Sequence, residues 1–182
     1  SLLSAFVNGE ELKDIPKYDA EKLYKLSLAQ AVTGIVGYEL MKSGALSDDV
    51  SPENKLNHAF DRTVTQFIQK ELNATNIINK LNEAQIPHIL FKGLVVKDCY
   101  PVAELRTYSD VDIIIHSEDR EKSHKLMLDM GFKYEFMDGG DVYSYKRNKE
   151  HYEIHTTLNS ERTKLSEYMS NYWSYTKQRA GY

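Results

Sequence analysis

The sequence predicts an α+β fold, in which an N-terminal helical region precedes a mixed β-sheet. Apolar residues recur at helical spacing through residues 1–85. Beyond Pro87 the pattern changes to short runs of alternating apolar and polar residues, which is typical of strands. The change of period divides the chain into a helical region at 1–85, a core at 86–159 and a C-terminal helix at 160–182.

Composition and charge exclude several classes of protein. The formal net charge of −4 argues against a nucleic-acid-binding protein, because such proteins normally carry a basic face. The single cysteine, Cys99, excludes an intramolecular disulfide framework and fits a cytoplasmic protein. The longest largely apolar stretch, residues 31–41, is too short and too polar to cross a membrane. The start at Ser1 and the abrupt ending at Tyr182 are interpreted as marks of a trimmed chain that lacks a further C-terminal part.

Two long helices are predicted in the N-terminal region. Asp19 is a suitable N-cap for a helix over residues 20–41, whose end two glycines weaken. A polar loop follows this helix. Ser51 is the predicted N-cap of a second helix, which begins with a proline and continues to about residue 85.

The core is predicted to alternate strands and helices. The expected strands cover residues 88–91, 110–116, 132–137, 142–146 and 151–157. The expected helices of this region cover residues 93–100 and 117–131. The Asp-Gly-Gly-Asp run at 138–141 predicts a hairpin turn between the third and fourth strands.

Two carboxylates stand two residues apart at the start of the second predicted strand. Side chains alternate between the faces of a strand, so Asp110 and Asp112 point the same way. Their charges repel each other, and a divalent cation between them removes that repulsion. Oxygen ligands of this kind suit Mg²⁺. Glu153, in another alternating run, offers a third carboxylate on a later strand.

The first strand ends at a Lys-Gly pair that opens the next helix. Unpaired N–H groups at a helix N-terminus suit a phosphate, and glycine allows close approach of the backbone. Lys92 adds a cation beside Gly93. The pair therefore indicates a candidate phosphate-binding turn.

The order of these features resembles the nucleotidyltransferase superfamily whose fold is that of the DNA polymerase β palm. More narrowly, the chain resembles an uncharacterised bacterial nucleotidyltransferase group with a Lys-Gly turn, over about residues 86–157. The segments that carry this resemblance are Leu90-Phe91-Lys92-Gly93, Tyr100-Pro101, Arg106, Ser109-Asp110-Val111-Asp112-Ile113 and His151-Tyr152-Glu153-Ile154-His155.

The resemblance implies an enzyme that moves a nucleoside monophosphate from an NTP to a hydroxyl acceptor. It implies that Asp110, Asp112 and Glu153 are catalytic carboxylates and ligands of two Mg²⁺ ions. Such an ion pair can hold the attacking and leaving oxygens of an in-line displacement. The expected partners are a nucleotide and an acceptor of unknown identity.

The resemblance also assigns Lys92 and Gly93 to the turn that holds the phosphates of the nucleotide, and Arg106 and Lys92 are candidates to neutralise the phosphate charge. The turn departs from the superfamily pattern, because the glycine is usually followed by serine or a second glycine. Leu94 stands at that position here. The departure favours a first alternative, a catalytically inactive nucleotide-binding or regulatory module of the same fold.

Two further alternatives stay open on the sequence. A metal-dependent phosphohydrolase would use Asp110 and Asp112 together with His151 and His155. An interaction protein would use its helices and keep the acidic residues as a vestige. Substrate turnover and metal preference distinguish these alternatives from nucleotidyl transfer.

Overall fold

The computed structural model of the protein describes residues 1–46, 51–135, 140–158 and 171–177, with the backbone alone described at residues 51–54. Its helices are Leu2–Asn8 (α1), Ala20–Ala29 (α2), Thr33–Lys42 (α3), Ser51–Glu83 (α4), Gly93–Val96 (α5) and Arg120–Asp129 (α6). Its strands are His88–Phe91 (β1), Val111–Ile115 (β2), Lys133–Glu135 (β3), Val142–Arg147 (β4) and Glu150–His155 (β5). Short 3-10 helices cover Lys97–Cys99, Ala103–Leu105, Ser117–Asp119 and Tyr172–Tyr175. Among these helices none is long and apolar enough to cross a membrane.

The chain folds into two compact units. The first comprises Ser1–Lys70 and Val96–Thr107, and the second comprises Glu71–Val95 and Tyr108–Tyr182. One boundary falls inside α4. The first unit is helical in its described part, and the second carries the sheet. This architecture confirms the predicted α+β class.

The single helix expected over residues 20–41 is in fact two helices. Asp19 caps α2 as predicted, because its carboxylate accepts a hydrogen bond of 3.0 Å from the backbone N–H of Lys22. The helix ends at Ala29, and Ala31 has a φ of 54°, in the left-handed region that interrupts a right-handed helix. The apolar spacing runs on across the break, so periodicity alone does not reveal it.

The two glycines of α3 permit close packing and do not weaken the helix end as expected. A Cβ on Gly37 would lie 2.5 Å from the backbone oxygen of Leu56. A Cβ on Gly34 would lie 2.6 Å from the hydroxyl oxygen of Thr63. Both contacts are with α4, so the glycines are needed where the two helices of the first unit approach each other.

The second unit is built on a five-stranded mixed sheet with the strand order β1-β2-β5-β4-β3. The strands β2 and β5 are parallel, and the other neighbouring pairs are antiparallel. Four strands lie within two residues of their expected ranges, and residues 136 and 137 of the third expected strand lie outside the described residues. The predicted turn at 138–141 and the predicted helix at 160–182 lie mainly outside the described residues, and the described part of that helix contains the 3-10 helix Tyr172–Tyr175.

The helix expected over residues 93–100 is shorter in the structure. It consists of α5, of four residues, and the 3-10 helix Lys97–Cys99. Tyr100 is extended, with a ψ of 142°. A proline disfavours the helical region for the residue before it, and Pro101 therefore explains why Tyr100 is extended.

The register of the strands gives the sheet two chemically different faces. The apolar face carries alternate residues of each strand, and α4 and α6 pack on it; its buried members are Val111, Ile113, Ile115, Tyr143, Tyr145, Tyr152 and Ile154. The opposite, polar face carries the residues between them. Across this polar face Phe91 pairs with Asp112, Asp112 with Glu153, and Glu153 with Ser144.

Candidate active site

Asp112 is the buried centre of the polar face. It lies on β2, between Phe91 of β1 and Glu153 of β5, and is 1% exposed. A buried carboxylate is costly unless it is paired and hydrogen-bonded. The Nζ of Lys92 donates to its Oδ1 at 2.5 Å, and the Nε2 of His155 donates to the same oxygen at 3.1 Å. The pairing therefore stabilises the charged form of this carboxylate.

The same contacts set the protonation of Asp112. Burial by itself raises the pKa of this carboxyl, whereas the hydrogen bonds and positive charge of His155 and Lys92 lower it. The balance holds the pKa of Asp112 below its ordinary value. Asp112 is therefore ionised at neutral pH, as a ligand of a cation must be.

Glu153 shares both partners of Asp112. Its Oε2 lies 3.4 Å from the Nε2 of His155 and 3.9 Å from the Nζ of Lys92. The parallel pairing of β2 with β5 places the two carboxylates side by side on one face. Neighbouring strands lie close to 5 Å apart, so paired residues on one face are in contact range.

Asp110 lies just before β2 and is half-buried. Its carboxylate accepts a hydrogen bond of 2.6 Å from the hydroxyl of Ser109. Ligand atoms of Asp110, His151 and Glu153 all lie within 4.8 Å of one another.

The ligand atoms of a second group also lie within 4.8 Å of one another, and this group comprises Asp112, Glu153 and His155. Glu153 therefore belongs to both groups. Carboxylate oxygens and imidazole nitrogens are common ligands of divalent cations. The donor set therefore fits a divalent cation, and the structure links all three predicted carboxylates through Glu153.

Two histidines adjoin the carboxylates, although the sequence assigned them only to the phosphohydrolase alternative. His155 is buried, and its ring lies edge-on to Phe91 with the ring centres 4.9 Å apart. The Nε2 of His151 is 2.8 Å from the hydroxyl of Ser144. The sequence signal that could have placed both histidines in the site is their spacing in β5, because positions 151, 153 and 155 share one face of a strand.

Lys92 occupies the turn after β1 and directs its ammonium group to the carboxylates. Its φ is 52°, a left-handed conformation that non-glycine residues rarely adopt. The Nζ lies 5.1 Å from the ring centre of Phe91. In this structure the cation neutralises Asp112, and its predicted role on a phosphate stays a prediction.

Gly93 opens α5, as expected, and is buried. A Cβ at this position would lie 2.9 Å from the Cβ of Tyr108. The absence of a side chain therefore has a packing reason. Its predicted role beside a phosphate also stays a prediction.

Arg106 belongs to the first unit. Its guanidinium lies over the ring of Tyr100, 5.5 Å from the ring centre, and donates to the backbone oxygen of Thr107. Its Nε is buried and has no hydrogen-bond partner among the described residues. The assignment of Arg106 to nucleotide phosphates stays a prediction.

The fold and this cluster together define a class of protein. A mixed sheet that presents an Asp-x-Asp pair at the start of one strand and a third acidic residue on its neighbour is the arrangement expected of a nucleotidyltransferase. A family model described as "uncharacterised nucleotidyltransferase" matches residues 16–181. The chain belongs to this family of transferases.

A solved structure gives a more distant comparison. The solution structure of the antibiotic-resistance factor ANT(2'')-Ia, noted for substrate-regulated conformation dynamics, matches with a TM-score of 0.38 and 17% sequence identity. The match covers 57% of this chain and 51% of that one, so the chain spans about half the length of that protein. A comparison with curated proteins found no match.

Proposed function

We propose that the protein transfers a nucleoside monophosphate from an NTP to a hydroxyl acceptor, in a reaction that requires Mg²⁺ and releases pyrophosphate. The observation that carries this proposal is that Glu153, on the polar face of a nucleotidyltransferase-family sheet, belongs to one group of possible ligands with Asp110 and to another with Asp112. Carboxylates arranged in this way favour the binding of divalent cations, which balance the negative charge of the reacting phosphates.

The three carboxylates would hold two Mg²⁺ ions, which when bound neutralise charge on the attacking and leaving oxygens. The protein's own contribution is to fix these side chains. Asp112 is fixed by its position on β2, which is paired with a strand on each side. Its lowered pKa keeps the carboxylate ionised. Glu153 is less buried than Asp112, and we assign it the second task of accepting the proton of the acceptor hydroxyl.

We assign Lys92, Gly93 and Arg106 to the phosphates of the nucleotide. Lys92 is half-exposed, so its ammonium can turn towards a ligand. Arg106 has an unpaired buried Nε among the described residues, and a guanidinium offers several donors to phosphate oxygens.

The proposal keeps the division of the chain at residues 86–159, which carry the three carboxylates. The helical region 1–85 precedes this core, and residues 160–182 follow it. We propose a cytoplasmic, bacterial enzyme, which the single cysteine supports, and the net charge of −4 favours a small molecule or a protein over a nucleic acid as its acceptor.

The test is a screen with each of the four NTPs, labelled at the α-phosphate, in the presence of Mg²⁺. Small molecules bearing hydroxyls, proteins and oligonucleotides are offered as acceptors, and pyrophosphate release and label transfer are measured. We expect both with at least one NTP, and their loss in Asp112→Asn. A matched control is Asp129→Asn, at the exposed end of α6, which should keep the activity. Absence of pyrophosphate release with every NTP would contradict the proposal.

A second candidate function is metal-dependent phosphate hydrolysis. The specific observation in its favour is that each group of possible ligands contains a histidine, His151 or His155. Imidazole suits zinc and other transition metals better than it suits Mg²⁺. Release of inorganic phosphate with Mn²⁺ or Zn²⁺, and no label transfer, would favour this candidate in the same screen.

A further inference from the structure

The ammonium group of Lys92 lies where a bound cation would balance the carboxylates. Its Nζ is 2.5 Å from Asp112 Oδ1 and 3.9 Å from Glu153 Oε2. We propose that Lys92 is an exchangeable internal cation. Its single positive charge offsets part of the negative charge of Asp112 and Glu153 before substrate binds, and it leaves them when a divalent ion arrives with the nucleotide. This inference rests on the proposed function and specifies how that site controls its metal.

The two cations compete for the carboxylate of Asp112. Oδ1 of Asp112 already accepts hydrogen bonds from Lys92 and His155. A divalent ion binds a carboxylate oxygen at roughly 2.0–2.6 Å, which would place it beside the ammonium group. Like charges at that separation repel strongly in a partly buried site. Lys92 must therefore move before a metal can bind Asp112.

The structure allows this movement for Lys92 but not for His155, the other hydrogen-bond partner of Asp112. The side chain of Lys92 is 53% exposed, whereas that of Asp112 is 2% exposed. The ammonium stands at the end of a flexible four-carbon chain and can turn to solvent without repacking the core. His155 is buried on β5 and keeps its contact with the carboxylate.

A triphosphate provides the place to which Lys92 moves. An ammonium and a phosphate oxygen form a charge-assisted hydrogen bond, which would replace the one that Lys92 makes with Asp112 before the triphosphate binds. Metal and triphosphate are therefore expected to bind cooperatively. The metal alone has to displace Lys92 without compensation, whereas the metal–triphosphate complex gives the released ammonium a new partner.

The test measures binding of Mn²⁺ alone to the full chain, from the free Mn²⁺ seen by electron paramagnetic resonance. Lys92→Met, which removes the charge at similar length, should bind Mn²⁺ at least about tenfold more tightly than the wild type, because no ammonium group has to be displaced from the carboxylates. Lys92→Arg, which keeps a cation, should bind as weakly as the wild type. The control is Lys80→Met, which breaks an exposed ion pair with Glu83 of the same length, 2.5 Å, and should leave Mn²⁺ affinity unchanged.

A second measurement uses the Mn²⁺–tripolyphosphate complex, which needs no knowledge of the base. The gain in affinity of this complex over Mn²⁺ alone should be at least about tenfold smaller in Lys92→Met than in the wild type. Lys92→Gln, which can still donate a hydrogen bond to Asp112, replaces Lys92→Met if the latter fails to fold.

The outcomes separate the two proposals. Equal Mn²⁺ affinity in the wild type and the uncharged variants overturns the exchange role of Lys92, while the transferase proposal still stands if label transfer is observed. If no variant binds Mn²⁺ at any concentration tested, the exchange role is wrong, and the metal site of the proposed function is wrong with it.

Discussion

The two faces of the sheet use the same strands for different purposes. On β5, Tyr152 and Ile154 are each 2% exposed and pack into the core. Glu153, between them in sequence, lies on the other face beside Lys92 and His155. The apolar face is held by burial, and the polar face by ion pairs and hydrogen bonds. The difference teaches that stability and chemistry can be changed separately along one strand.

The largest expected effect is on stability, from the apolar face. Ile113 is 0% exposed, and Ile113→Ala should lower the free energy of unfolding by about 2–5 kcal/mol, because it removes buried methyl groups and leaves a cavity. Urea denaturation measures this loss. Mn²⁺ affinity per folded molecule should not change. A loss below about 1 kcal/mol would show that this face is not the core of the unit.

Asp112→Asn on the polar face should act mainly on function. Loss of even an outer partner of a metal ligand costs about 10–100-fold in affinity or activity, so loss of a direct ligand should lower label transfer at least about 100-fold. The wild type should gain about 2.7 kcal/mol from Mg²⁺–NTP at ~100 times its dissociation constant. Melting temperatures with and without Mg²⁺–NTP test this. An equal shift of the melting temperature in the wild type and the variant would show that Asp112 is not a metal ligand.

Gly93→Ala tests whether the turn at the polar face has a packing role. The new Cβ would lie 2.9 Å from Tyr108, so we expect a loss of about 1–3 kcal/mol in stability. The loss should be less than additive with Tyr108→Gly, since the second change removes the clashing Cβ together with the ring atoms behind it. A double-mutant cycle in urea measures the coupling, and full additivity would contradict the assigned contact.

The apolar face should be the more sensitive to alkali. Burial raises the pKa of Tyr152 in the folded protein well above its ordinary value. Above about pH 10 the unfolded chain ionises this tyrosine first, so stability falls with rising pH, by at most about 1.4 kcal/mol per pH unit. Tyr152→Phe should have a shallower alkaline slope than the wild type. If the free energy of unfolding, measured by urea denaturation at pH 9–11, falls with the same slope in both proteins, Tyr152 does not contribute to the alkaline loss of stability.

The polar face should be the more sensitive to acid. The pKa of Asp112 is lowered in the folded protein, so its contribution is present above about pH 4 and is lost as the pH falls through the folded value. In metal-free buffer the stability difference between wild type and Asp112→Asn should therefore shrink with falling pH. The difference between wild type and Ile113→Ala, which involves no titrating group, should stay constant and is the control.

The sequence predicts the parts of this comparison that depend on local patterns. Alternation along a strand has a period of two residues, so Glu153 and its neighbours can be divided between the two faces from their order in the chain. The order of strands and helices follows from the same patterns and from turn residues. The roles assigned to the polar residues stay predictions until activity is measured.

What the sequence misses depends on contacts between distant segments. The break at Ala31 is a change of backbone conformation, and the glycines of α3 are explained by α4, which periodicity does not show. The position of the Lys92 ammonium depends on the pairing of β1 with β2. The sequence alone therefore predicts that Asp112→Asn relieves repulsion and stabilises the metal-free protein, whereas the pairing of Asp112 with Lys92 and His155 leads us to expect a small loss.

The position of β1 in the sheet has a consequence for motion. β1 is an outer strand of only four residues, and the turn that carries Lys92 follows it directly. An outer strand has a paired neighbour on one side only, so it opens at lower cost than an inner strand such as β2. Amide hydrogens of β1 should therefore exchange with deuterium faster than those of β2. A ligand that binds Lys92 would slow that exchange. The mobility of β1 would then depend on whether the site is occupied.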